Sequence, residues 1–186
     1  MNPLQMPSMI LSFHKGWDEL VKYHPSVSQV FAFVVLPMSL LPPAMIYWAG
    51  GNHGDVFIAG VSPEQWHTAA GIFFLAELLT VPLMAWLMHL ASRANDSAAD
   101  FRECFTLAAI APIPLWLSSL VLLIPNLVVG VLVGGLALLC SLGLTYRGVY
   151  ALLHMREDVR ALQMASVVTG AGLLVWLLLM QIVLMH

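Results

Sequence analysis

Glu77 is a carboxylate inside GIFFLAELLTVPLMAWLMHL, the stretch from Gly71 to Leu90, where His89 is the only other titratable side chain. A carboxyl in such surroundings can bridge helices as a neutral hydrogen-bonding group. It can also take up a proton or cation. Glu77 lies eleven residues beyond Trp66, about 16 Å along a helix, which is midway through a bilayer. Charge at that depth costs roughly 2.5 kcal/mol or more on insertion scales for Asp, Lys or Arg. A neutral Glu77 is therefore expected. No Lys or Arg reaches the same depth, so an ion pair inside the membrane is excluded.

Candidate company for Glu77 comes from small hydroxyls and interrupted backbone. Thr80 shares its helical face, and Ser39, Ser118 and Ser119 fall at similar depth on other segments. Prolines recur inside the apolar stretches: Pro37, Pro42, Pro43, Pro82, Pro112 and Pro114. Each lacks an N–H, so the carbonyl four residues earlier loses its helical partner. Leu78 loses it through Pro82, and Ile110 through Pro114. Such groups must face protein, water or an ion, because hydrocarbon cannot satisfy them. The set predicted to form a polar site is Glu77, Ser39, Thr80, Ser118, Pro82 and Pro114. It reads either as ordinary kinks with a bridging acid or as broken helices around a small cavity.

Other chemistry is thin. His53, Asp55 and His67 share one side of the membrane and could in principle ligate a divalent metal. Their spacing has no ligand regularity, and GGNHGD resembles turn chemistry, so no metal and no cofactor are expected. Cys104 and Cys140 read as packing residues. No nucleophile motif, P-loop, dinucleotide fingerprint or HExxH is present, so nothing points to an enzyme.

The elements that must position Glu77 follow from composition. The 186 residues are 60% hydrophobic and 9% charged, whereas a water-soluble domain runs to about 25% charged. The net charge of −3 offers no basic patch for nucleic acid. No cleavable leader is visible in MNPLQMPSM. Five stretches are long and apolar enough to cross a membrane: 27–48, 66–90, 103–124, 127–146 and 161–185. Lys15, Lys22, Arg93, Arg102, Arg147, Arg156 and Arg160 all fall on one side of this five-span arrangement. The positive-inside rule then puts the N-terminus in the cytoplasm and the C-terminus outside. Pro125-Asn126 forces the third and fourth spans to be antiparallel neighbours. Residues 1–26 precede the membrane domain, 27–186. Within them MILSFHKGWDELVKYHP reads as an amphipathic helix, with Phe13, Trp17 and Leu20 on one face. It would lie in the cytoplasmic interface or dock on a partner. In the fourth span Gly130 and Gly134 form a GxxxG, a helix-packing signal.

The layout resembles the Ypt/Rab-interacting, or Yip, family of membrane proteins, as a small bacterial-type member. The likeness is strongest in ECFTLAAIAPIPLWLSSLVLLIP, with Pro114 in the family's proline position, and in GLTYRGVYALLHM. Two departures stand out: Ile110 replaces the Tyr that many members place four residues before that proline. The Asp-Leu-Tyr-Gly-Pro-type motif of eukaryotic members is only echoed, by Glu77-Leu78 followed by Pro82. The resemblance implies five spans with a cytoplasmic N-terminus. Eukaryotic members are associated with Rab-type GTPases, a role that does not transfer to a chain of this kind.

The expectation is thus an all-α integral membrane bundle of five transmembrane helices with an N-terminal amphipathic helix, in a bacterial inner membrane. It is expected to act as a non-enzymatic organiser whose partners are membrane lipids, further copies of itself or other membrane proteins. The alternative is a small transporter or channel for a proton, cation or small solute, built on Glu77.

Overall fold

The computed structural model describes residues 25–94, 97, 99–153, 166–174 and 181. Four helices among them are long and apolar enough to cross a membrane: α1 (Val27–Phe57), α2 (Pro63–Ala94), α3 (Phe101–Leu123) and α4 (Leu127–Leu152). A fifth helical piece, α5, covers 166–174. The amphipathic segment predicted in 1–26 and most of the fifth span, 161–185, lie outside the described residues.

Each long helix begins on a residue that satisfies its orphan N–H groups. Ser26 and Gln29 form a capping box before α1, and Asp100 and Glu103 form another before α3. Ser62 and Gln65 exchange the same pair of bonds at the start of α2. Asn126 accepts from the Val128 and Val129 N–H groups to open α4. A capping side chain is worth about 1 kcal/mol. These caps also fix where the chain turns back.

Two boundaries correct the sequence reading. The first span does not end at residue 48. GGNHGD is helical, and α1 continues to Phe57 with a kink at His53 (φ −155°, ψ 34°). The polar letters suggest a turn, but Gly50 and Gly54 are one helical turn apart and receive the indole of Trp66 from α2. A Cβ at either glycine would overlap that ring. The fourth helix also runs past residue 146, to Leu152.

Most of the prolines fall where a helix restarts. Pro42 and Pro43 occupy the first turn of Leu41–Phe57. Pro112 caps Ile113–Ser118 and Pro114 lies in its first turn. There the missing N–H would have had no intrahelical partner anyway. Pro37 follows a π-helical turn, Phe31–Val35, in which the Leu36 N–H reaches back to the Phe31 carbonyl. Widening the turn takes the Phe33 carbonyl away from the proline ring that would strike it. Among the described prolines, only Pro82 sits inside a continuous helix. α3 is the most interrupted element: an α-helix to Ile110, a turn, the short helix Ile113–Ser118, then a 3₁₀ stretch Ser119–Leu123.

The core lies between α2, α3, the start of α1 and the end of α4, with Val35, Met88, Cys104, Leu107, Val149 and Leu153 almost fully buried. Large apolar side chains elsewhere face outward, including Leu79 on α2 and Val131, Leu132 and Leu136 on α4. In water such a surface would drive association. Around a membrane bundle it is the face that meets lipid tails.

Candidate functional site

Glu77 faces α3. Its helix buries Ala70, Phe73, Val81, Met84 and Met88 along one stripe, and Glu77 lies within that stripe. Across the interface, Trp116 Nε1–H donates to Glu77 Oε1 at 2.9 Å. Trp116 is 3% exposed. It is held by the short helix that restarts behind Pro112 and Pro114. The other carboxyl oxygen, Oε2, is buried and has no hydrogen-bond partner among the described residues.

The predicted hydroxyl company does not converge on the carboxyl. Each hydroxyl donates to a carbonyl of its own helix: Ser39 to Leu36 at 3.3 Å, Thr80 to Ala76 at 2.7 Å and Ser118 to Leu115 at 2.7 Å. Ser119 does the same toward Trp116 at 2.6 Å. A hydroxyl next to its own backbone finds an acceptor one turn back without any tertiary fit, so local bonding wins. Pro114 contributes differently, by setting the segment that presents Trp116. Pro82 lies one turn beyond Glu77 on the same helix.

Three groups absent from the sequence-derived set carry the cross-helix chemistry. Trp116 was readable as unusual, because tryptophans in membrane proteins favour the interfaces and this one sits well inside its span. Ser141, on α4, donates to the Ala111 carbonyl at 2.6 Å. That carbonyl lies at the break between the two halves of α3, so a side chain from a neighbouring helix replaces a lost backbone donor. Thr145 donates in turn to the Ser141 carbonyl at 2.9 Å. The third group is the Gly50–Gly54–Trp66 contact. Trp66 is 7% exposed and its buried indole N–H has no hydrogen-bond partner among the described residues.

His53 and His67 serve the same end of the bundle. His53 Nε2 donates to the Leu122 carbonyl at 2.8 Å, tying α1 to the end of α3. The His67 ring stacks on Tyr47 with centroids 3.9 Å apart. Asp55 Oδ1 accepts from the Gly60 N–H at 3.3 Å, where Gly60 has φ +81°. The three weak metal candidates are thus engaged separately, and no group of three potential ligands occurs among the described residues. Gly130 and Gly134 do not mediate packing between described helices: nothing lies within 4 Å of a Cβ built at either. The glycine pair that does so is Gly50 and Gly54.

At the other end, Ser97 Oγ donates to the Leu153 carbonyl at 2.6 Å, joining the α2–α3 connection to the end of α4. His89 meets Phe101 edge-on at 6.0 Å.

The family model for the Yip1 domain matches residues 8–179. The chain therefore belongs to the Yip1 domain family. Neither the curated proteins nor the solved structures give a match.

Proposed function

We propose that this Yip1-domain membrane protein is a non-enzymatic organiser, acting through contacts with other membrane proteins and lipids rather than by moving a solute. The observation that carries this reading is where the polar groups go. Ser39, Thr80, Ser118 and Ser119 bond to their own helices. Ser141 and Glu77 bond to a neighbouring one. A conduction path needs polar groups lined up with capacity left for a passing ion or solute, whereas the hydroxyls donate to carbonyls of their own helices or, at Ser141, of a neighbouring one, and one Glu77 oxygen is taken by Trp116. The apolar outer faces of α2 and α4 leave ample surface for neighbours within the membrane. We further take the N-terminus as cytoplasmic and the membrane as a bacterial inner membrane. Arg93, Arg102 and Arg147 cluster near helix ends on one side, as the positive-inside rule requires.

The partnerless Oε2 of Glu77 favours one competing reading, a proton or cation transporter. Proteoliposome flux compared between the wild type and Glu77→Gln separates the two. The organiser reading expects no flux above empty vesicles from either protein. It also expects a membrane-protein partner at stoichiometric ratio after purification from native membranes. Flux that disappears in Glu77→Gln would establish the transporter instead.

A further inference from the structure

We infer that Glu77 is a proton-binding site at the centre of the bundle, and that loading and unloading it tightens and loosens the joint between α2 and α3. The inference stands apart from partner binding and starts from an imbalance in the geometry. One carboxyl oxygen accepts from Trp116, while the other is buried with no hydrogen-bond partner among the described residues. A carboxylate here would have a single hydrogen bond, from one indole, to stabilise a full negative charge. That is far too little in a medium without water.

An occupant for Oε2 is therefore required, and the surroundings select which. A calcium or magnesium ion takes six or more oxygens. No three His, Cys, Asp or Glu groups cluster anywhere among the described residues, and the nearby Thr80 hydroxyl is committed to Ala76. A proton needs one oxygen only. With the proton on Oε2, the acid is neutral and Oε1 remains an acceptor for Trp116.

No other described charge stabilises the ionised form. On α2 the nearest titratable groups are His67 and His89, ten and twelve residues from Glu77. His67 is stacked on Tyr47 and His89 meets Phe101. On α3 they are Arg102, Glu103 and Cys104, at the far end of the helix from Trp116. On α1 they are Tyr47, His53 and Asp55; on α4, Cys140, Tyr146, Arg147 and Tyr150; residues 166–174 contain none. The sole hydrogen-bond partner of the Glu77 carboxyl among the described residues is the Trp116 indole.

The step is simple: the carboxylic acid releases its proton to the aqueous phase and becomes a carboxylate. The new charge must then recruit water to the interface. Trp116 sits on a six-residue helix between a proline break and a 3₁₀ stretch. It is thus carried by the part of α3 least restrained by backbone hydrogen bonds, and it can yield.

Infrared spectroscopy of the full-length protein in liposomes tests this, with tryptophan emission recorded on the same samples. The expected result is a protonated-carboxyl band at neutral pH that fades reversibly as pH rises and is missing from Glu77→Gln. Emission should shift along the same titration in the wild type. It should stay flat in Glu77→Gln, which keeps an acceptor for Trp116, and in Trp116→Phe. Absence of the band at neutral pH, or its survival in Glu77→Gln, would overturn the proton site. A band that titrates with no change in emission would overturn its coupling to the joint. Partner capture does not enter either readout, so failure here leaves the organiser reading to be judged separately.

Discussion

Two of the joints that α2 makes among the described residues work by different physics. Near its first turn, Trp66 fills the groove left by Gly50 and Gly54 on α1, a shape fit around the indole. Near its middle, Glu77 meets Trp116 on α3 through one hydrogen bond, with the second oxygen unmatched. The first joint depends on volume and tolerates no added atom. The second depends on polarity and leaves an interaction unfilled. Lipid tails are as apolar as the side chains they would replace, so close packing and matched polar groups hold membrane helices together, not the expulsion of water. Both joints leave a buried polar atom unmatched, the indole N–H of Trp66 at the first and Oε2 of Glu77 at the second, but only the carboxyl can change its charge. The second joint is therefore where a response can be built.

Substitutions can break this contrast. The largest effect is expected at the packed joint: Trp66→Ala should destabilise by about 3–5 kcal/mol, the range for emptying a large buried site. Gly50→Leu should cost about 1–3 kcal/mol by overpacking. Thermal unfolding in detergent, followed by loss of the monodisperse gel-filtration peak, reads both. If Gly50→Leu left stability unchanged, the close approach of α1 and α2 would be wrong.

Next comes Ser141→Val, which keeps the shape but leaves the Ala111 carbonyl without its cross-helix donor. About 1–3 kcal/mol is expected for an unsatisfied buried group. Ser118→Ala should have a much smaller effect, because its hydroxyl bonds only to its own helix. Equal losses in the two variants would remove the distinction between cross-helix and local hydroxyls.

The smallest effect on the single chain is expected at Gly134→Leu, within about 0.5 kcal/mol, since no described side chain faces that position. The same variant sharpens the question of assembly. If Gly130 and Gly134 pair two copies of the chain, cross-linked dimers should vanish while the unfolding midpoint holds. Retention of dimers would assign those glycines to lipid.

Much of this was legible in the sequence, and the misses have physical causes. The apolar lengths marked four described spans, because backbone satisfaction in hydrocarbon leaves helices as the natural solution. Glu77 stood out because a carboxylate is expensive there. Its partner did not. Hydroxyls were the expected company, yet a serine or threonine in a helix reaches its own carbonyl first, as Ser39 and Thr80 do. A mid-span tryptophan, with its donor fixed at the end of a rigid ring, has no such local option and must look across. Gly50 and Gly54 were hidden by context: Asn52, His53 and Asp55 around them suggested a turn, and the spacing that fits a partner helix was read only at Gly130 and Gly134. The capping residues Ser26, Ser62, Asp100 and Asn126 show how helix starts could have been placed more closely than by hydropathy alone.

The contact between Glu77 and Trp116 is tested most directly by a double-mutant cycle with Glu77→Met, Trp116→Phe and the pair, read as unfolding free energy in the same detergent. A coupling of about 0.6–1.7 kcal/mol is predicted, from the average to the largest value typical of hydrogen bonds between membrane helices. Purely additive losses would mean that the two side chains do not hold α2 to α3, and the account of this site would fall with them.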